Sequence, residues 1–220
     1  MGHPIQRISR PAAEELQRRD ADRARLLERV AIGLAHEGKN PLHNMVLHVQ
    51  LMAEKLGSAP VEKHLAALRD GIGRVDSLLK AFGEFAAPEH LPADLVAAVS
   101  RATQLFAYEA RRAGVAVSSK GPPLLLVASV PRPLGDMVAH ALVAALEFSR
   151  GGGSVELHAH APAGRGVLDV VADGGAGRSE EAMPHLEALR RLAPEAGCEL
   201  SIETTPAGGA RLSLSFSQPR

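Results

Sequence analysis

His36, Glu37, Asn40 and Pro41 fall close together in the run Leu34-Ala35-His36-Glu37-Gly38-Lys39-Asn40-Pro41-Leu42. On an α-helix, His36 and Asn40 lie one turn apart on the same face. An imidazole held this way can act as a nucleophile, and the adjacent Glu37 carboxylate can accept or hold its second ring proton. Asn40 is placed to orient a water or a phosphoryl oxygen over the ring. Zinc-protease chemistry does not fit, because Asn40 stands where a second histidine would be needed. The bland reading of His36 is one surface histidine among the ten in the chain, beside a proline kink.

The elements around this run must be helical. Val61, Leu65, Leu68, Ile72, Val75, Leu79 and Phe82 are separated by alternating gaps of four and three, the spacing of a coiled-coil seam. A similar stripe runs through Leu27, Val30 and Leu34, then Met45, Val49, Met52 and Leu56, interrupted by Gly38 and Pro41. Gly57-Ser58-Ala59-Pro60 is expected to turn the chain back into an antiparallel hairpin. One hairpin has little core of its own, so two copies are expected to pair as a dimeric four-helix bundle. His36 lies off the seam and is expected to face solvent.

Near Pro88 and Pro92 the periodicity changes, which divides the chain into a segment 1–20 that starts the first helix, a hairpin over 21–88 and a second unit over 91–217. In that second unit, helices are expected at 92–113, 133–149 and 179–196. Strands are expected at 115–119, 124–129, 154–160, 166–173, 199–204 and 210–216. Leu212, Leu214 and Phe216 alternate with Arg211, Ser213 and Ser215, so the sheet has one buried face and one polar face. The fold class is therefore an N-terminal helical hairpin followed by a two-layer α/β sandwich.

Composition excludes several functions. Formal net charge is zero and aromatic content is 3%, so no nucleic-acid surface is expected. The single cysteine, Cys198, rules out an internal disulfide and fits a reducing cytosol. The longest apolar runs, such as 124–127, are too short to span a bilayer, and the N-terminus carries no signal-peptide pattern. No membrane association is expected, and the localisation is expected to be cytoplasmic. His158 and His160 share one side of a strand but lack a third ligand, so no metal site is expected. Gly151-Gly152-Gly153 reads as a turn, and Arg18, Arg19, Arg23 and Arg25 as a solvated helix face.

The histidine run resembles the phosphoacceptor box of bacterial sensor histidine kinases, and the hairpin resembles their dimerisation and phosphotransfer domain. Residues 91–217 resemble their Bergerat-type ATP-binding domain, with Asp173-Gly174-Gly175-Ala176-Gly177 matching the D-x-G-x-G loop whose aspartate binds adenine. The resemblance also implies a magnesium-binding asparagine on the helix over 133–149. Met137, His140, Ala144 and Glu147 occupy that helix face, with Ala144 at the asparagine's place. A methyl group cannot ligate a hard cation. The family's flexible lid and second glycine motif are replaced by Arg178 to Glu187, which run straight into a helix. Asp173, Gly175 and Gly177 are then vestigial.

These matches and departures together are similar to histidine phosphotransferases of the ChpT type. The resemblance implies a homodimer in which His36 is the acceptor, Glu37 tunes its tautomer and Asn40 orients the transferring group. Its partners would be response-regulator receiver domains, which supply Mg²⁺. No resident cofactor is required, and ATP binding is not expected. A divergent ATP-dependent kinase and a non-catalytic scaffold remain open as alternatives.

Overall fold

The computed structural model describes residues 10–54, 61–86, 93–129, 131–174, 179–204 and 209–219. The expected turn at 57–60, Gly175 and Gly177, and most of the connection before the last strand lie outside these residues.

The first helix, α1 (Arg10–Glu54), is continuous through Pro41. It packs along α2 (Val61–Ala86). The contacts run antiparallel, with Met45 against Gly71 and His48 against His64, their Nδ1 atoms 3.1 Å apart. Gly71 permits the close approach, since a Cβ there would sit 2.7 Å from the Met45 Cγ. The seam expected on α2 divides in two. Leu68, Val75 and Phe82 are half-buried, whereas Ile72 and Leu79 are each 58% exposed and Leu65 is 38% exposed.

The helix expected at 92–113 is instead a short strand and two helices, β1 (Ala93–Asp94), α3 (Leu95–Leu105) and α4 (Ala107–Ala113). Asp94 sets the start of α3 by accepting a hydrogen bond from the Val96 N–H at 3.0 Å. At Phe106 the backbone leaves helical geometry (φ −96°, ψ 9°) while its side chain goes fully into the core. Gly114, at φ 68°, ends α4 in the left-handed region.

Next come β2 (Ala116–Lys120) and β3 (Leu126–Val127). The strand expected at 124–129 shrinks to β3, which pairs with β1 outside the main sheet. Its backbone groups are committed there. The Leu125 N–H donates to Asp94 and its carbonyl accepts from the Leu95 N–H.

The chain continues through α5 (Pro131–Ser149), β4 (Ser154–His160), β5 (Arg165–Ala172), α6 (Ser179–Leu192), β6 (Cys198–Thr204) and β7 (Ala210–Ser217). The main sheet has the order β2-β4-β5-β7-β6, with only the β2–β4 pair parallel. Val155, Leu157, Leu168, Val170, Leu212, Leu214 and Phe216 are buried on its inner face, beneath α5. The expected two-layer sandwich forms. Helix α6 stops short of residue 196, and the chain turns through Gly197 at φ 62°. Burial pushes the Cys198 thiol up to about 12, which makes it unreactive at neutral pH.

Every residue of α5 from Met137 to Ser149 is buried, including His140, whose polar ring enters the α5–α6 contact. His140 Nδ1 lies 2.9 Å from His185 Nδ1. One ring must donate and the other accept, and burial keeps both rings neutral at neutral pH. Burial lowers His140 to about 3, helped by His185, Arg191 and Arg29. It lowers His185 to about 4, where Arg29 and Arg25 add to the effect and Glu147 opposes it.

Both histidines should make the fold acid-sensitive. In the unfolded chain they take up protons as pH falls through 6.5, while in the folded chain they stay neutral down to about 4 and 3. Stability is therefore fully present above pH 6.5 and is lost on acidification, by about 2 kcal/mol for each ring at pH 5. Thermal unfolding at pH 7.5 and pH 5.0 should show a clear drop in Tm that shrinks when both residues are replaced by leucine. Equal pH dependence in parent and variant would sink this assignment.

Candidate functional site

The site is built on the face of α1 that docks against the C-terminal half. Leu26 and Val30 are completely buried there. Around them Arg19 pairs with Glu195, Asp22 with Arg191 and Arg23 with Asp136. Arg23 also donates to the Phe85 carbonyl at 3.2 Å and lies 5.7 Å from the centre of the Phe85 ring. Arg19 and Arg23 are thus docking residues and not a solvated face. Sequence reading missed this because their partners lie more than a hundred residues away.

Farther along the same face, Arg29 reaches both Glu109 on α4 and Glu147 on α5, each at 3.1 Å. Arg150 holds the other Glu147 oxygen at 2.6 Å. Burial alone would raise the Glu147 pKa, but the hydrogen bonds and charges of Arg150 and Arg29 outweigh it and hold the carboxyl below its ordinary value. One turn beyond Arg29, Gly33 lets α4 come close. A Cβ at that position would sit 3.2 Å from the Leu105 carbonyl oxygen and 3.6 Å from the Tyr108 Cβ.

His36 follows on this face. Its ring is exposed and stacks on Tyr108 of α4, with centroids 4.3 Å apart and planes within 2°. Glu37 forms an ion pair with Arg111, also on α4. Asn40 is exposed at a cleft of about 820 Å³ that is also lined by Glu37, Asn44, Arg69, Arg74 and Arg111. Glu37 and Asn40 therefore share this cleft, whereas His36 does not line it and instead meets Tyr108. Tyr108 and Arg111 were not foreseen. The one available signal was that Tyr108 is the sole tyrosine of the chain.

Asp173 lies elsewhere. It follows β5, is exposed, and accepts a hydrogen bond from the Ser154 hydroxyl. No hydrogen bond or ion pair among the described residues links it to His36, Glu37 or Asn40. The α5 face with Met137, His140, Ala144 and Glu147 is closed, its residues being at most 3% exposed. His185 of α6 covers His140, and Glu147 is already neutralised by two arginines. This face does not fit a magnesium-bound nucleotide, because the methyl of Ala144 gives no oxygen and Glu147 has no free charge to offer. On the open face of the sheet, the His158 and His160 rings stack with centroids 4.8 Å apart, and His160 Nε2 lies 3.0 Å from Asp169. Among the described residues no group of three or more such side chains could hold a metal.

No protein-family model matches the sequence, and no curated protein matches it. Solved structures do match the fold. The histidine kinase AdeS of Acinetobacter baumannii aligns over 84% of this chain and 98% of its own, at 12% identity and a TM-score of 0.50. Full-length ShkA in complex with AMPPNP aligns over 87% of this chain and 46% of its own, at 21% identity and a TM-score of 0.50. The fold is that of a histidine kinase core. A structure described as a bacterial phosphotransferase also aligns, over 87% of this chain and 96% of its own, at 17% identity and a TM-score of 0.46. Among the described residues no helix is long and apolar enough to cross a membrane.

Within this histidine kinase fold, the Arg29–Glu147 contact joins the hairpin to the sandwich. Replacing Arg29 with alanine leaves a buried carboxylate with Arg150 as its remaining cation, and should cost about 2 kcal/mol in urea unfolding. A loss below about 0.5 kcal/mol would show that the docking of α1 does not depend on this pair.

Proposed function

We propose that the chain is a homodimeric histidine phosphotransferase of a two-component relay. His36 takes a phosphoryl group from the aspartate of one receiver domain and returns it to another. The observation that carries this reading is a contrast between the two halves. The histidine of the kinase-like box is exposed, next in sequence to Glu37 and one turn from Asn40, which line a broad polar cleft, while the helix face a magnesium-bound nucleotide would need is packed shut. The phosphoryl donor is then a phosphorylated partner and not a nucleotide held by this chain.

In the transfer, a neutral imidazole nitrogen of His36 attacks the phosphorus of the aspartyl phosphate. The N–P bond forms as the bond from phosphorus to the carboxylate oxygen breaks, and the receiver's aspartate leaves as a carboxylate. Little covalent chemistry is required of the acceptor, so positioning dominates. Asn40 sits one turn from His36 and can orient the phosphoryl oxygens. Glu37 lies next to the acceptor, with Arg111 balancing its charge, and would bias which ring nitrogen carries the proton. Mg²⁺ comes with the receiver.

Exposure along the hairpin supports self-association. Leu65, Ile72 and Leu79 repeat every seven residues on α2, and Leu42, Val46 and Val49 lie exposed on α1. A second copy would cover such a stripe. Replacing Ile72 and Leu79 with glutamate should turn the full chain from dimer to monomer in sedimentation. A monomeric parent at micromolar concentration would end the dimer reading.

The activity is tested by offering the purified chain labelled ATP with Mg²⁺, and separately a panel of labelled phosphorylated receiver domains. Label should arrive only from a receiver and should vanish in His36→Gln. Asp173→Asn should leave uptake nearly unchanged. Labelling of His36 by ATP would instead make the chain a kinase, and labelling from neither source would make it a scaffold.

A further inference from the structure

The contact between His36 and Tyr108 joins a side chain of the hairpin to one of the sandwich, and its geometry has chemical consequences. The nucleophilic lone pair of a neutral imidazole, on its unprotonated nitrogen, lies in the ring plane. A partner stacked at 4.3 Å and within 2° of parallel therefore covers one π-face and leaves both nitrogen edges clear. Among the described residues His36 forms no hydrogen bond, so the stack is what restrains rotation of its ring. Without such a partner, an exposed imidazole samples its rotamers on the picosecond to nanosecond scale.

We propose that Tyr108 is a positioning residue for phosphoryl transfer, fixing the plane of the His36 imidazole so that an in-plane nitrogen meets the incoming phosphorus. The proposal rests on His36 being the phosphoryl acceptor. Three neighbouring contacts make the clamp specific. Arg111, one turn along α4 from Tyr108, pairs with Glu37 beside the histidine. Glu109, on the same helix, pairs with Arg29 at 3.1 Å. Gly33 leaves the room that Tyr108 needs to reach across. Helix α4 is thus fastened to α1 on both sides of the stacked rings, and each half of the chain supplies one ring. In-line transfer rewards such alignment, because small angular errors at the nucleophile cost large factors in rate.

The same contact could be imagined as a cover that excludes the donor, and the two roles predict opposite results. Tyr108→Leu removes the ring, Tyr108→Phe keeps it, and Arg111→Ala loosens α4 at an exposed position where folding is not at stake. Carbon-detected proton spectra of the full chain read the stack directly, since the Tyr108 ring current should shift the His36 ring protons upfield. The His36 signals are assigned by their loss in His36→Gln. The shift should persist in Tyr108→Phe, shrink in Arg111→Ala and disappear in Tyr108→Leu.

Phosphorylation rate is measured with phosphoramidate, a small donor that needs no docking surface, and with a phosphorylated receiver. Tyr108→Leu should be about ten-fold slower with both donors, with the receiver KM unchanged, and Tyr108→Phe should restore most of the rate. An unshifted His36 ring, or a shift that survives Tyr108→Leu, overturns the clamp itself. A present clamp with equal or faster phosphorylation in Tyr108→Leu overturns the positioning role and makes Tyr108 a cover. Failure of the parent to accept phosphoryl groups from either donor removes the acceptor reading and this role with it. The ring-current shift would then still report whether the clamp exists.

Discussion

A carboxylate left with 2% of its side-chain surface exposed, as at Glu147, is costly to bury unless cations reach it. Here they arrive from two directions. Arg150 comes from just beyond the end of the same helix, and Arg29 comes from α1, 118 residues earlier in the chain. The second of these ties the hairpin to the sandwich at a place where separation would strand a charge in the core. Arg23 on Asp136 repeats the arrangement two turns away. There burial raises the aspartate's pKa despite the opposing Arg23 and Arg132 charges, so this pair registers α1 more than it stabilises it.

From that fastening the rest of the site follows by helical geometry. Leu26, Arg29, Gly33 and His36 are spaced by three, four and three residues, so they form one stripe of α1. Leu26 and Arg29 dock, Gly33 allows contact with α4, and His36 meets Tyr108 where the stripe emerges from the interface. The fixed relation between sandwich and hairpin is therefore also what brings an aromatic ring to the histidine. It has a cost in versatility. With α1 seated by these pairs and α6 lying over His140, the α5 face that carries Ala144 and Glu147 is committed to packing.

Much of this was legible in the sequence. Period-2 alternation in 210–216 and heptad spacing in 61–82 are local signals, and they correctly specified a helical part followed by a two-layer sandwich. The helix that carries Ala144 was recognisable from its apolar spacing, and it forms as Pro131–Ser149. The failures share a cause. The break at Phe106 depends on where a buried ring must point, and the shrinking of β3 depends on Asp94 capturing the Leu125 N–H. The pairing of Arg19 and Arg23 depends on carboxylates far along the chain. None of these leaves a periodic trace. Position on α1 was legible for His36, Glu37 and Asn40, but the partners of the first two, Tyr108 and Arg111, come from 72 and 74 residues away in the sequence.

The turn that carries His36 is the part of α1 with the least support from within. Pro41 has no N–H, so the Glu37 carbonyl lacks its usual donor four residues on. Gly38 adds about 1 kcal/mol of helix weakness relative to alanine, and a side chain there would meet nothing within 4 Å. A helix softened at this turn would let the imidazole wander, yet the phosphoryl acceptor proposed above gains from a ring that is both accessible and fixed. Tight packing against α2 would fix it only by burying it. Stacking from α4 resolves the conflict, because a ring held by one π-face keeps its nitrogens in solvent while its plane is set by a rigid neighbour. The softness within α1 and the clamp from α4 are then two parts of one arrangement, in which the sandwich supplies the order that the histidine's own helix gives up.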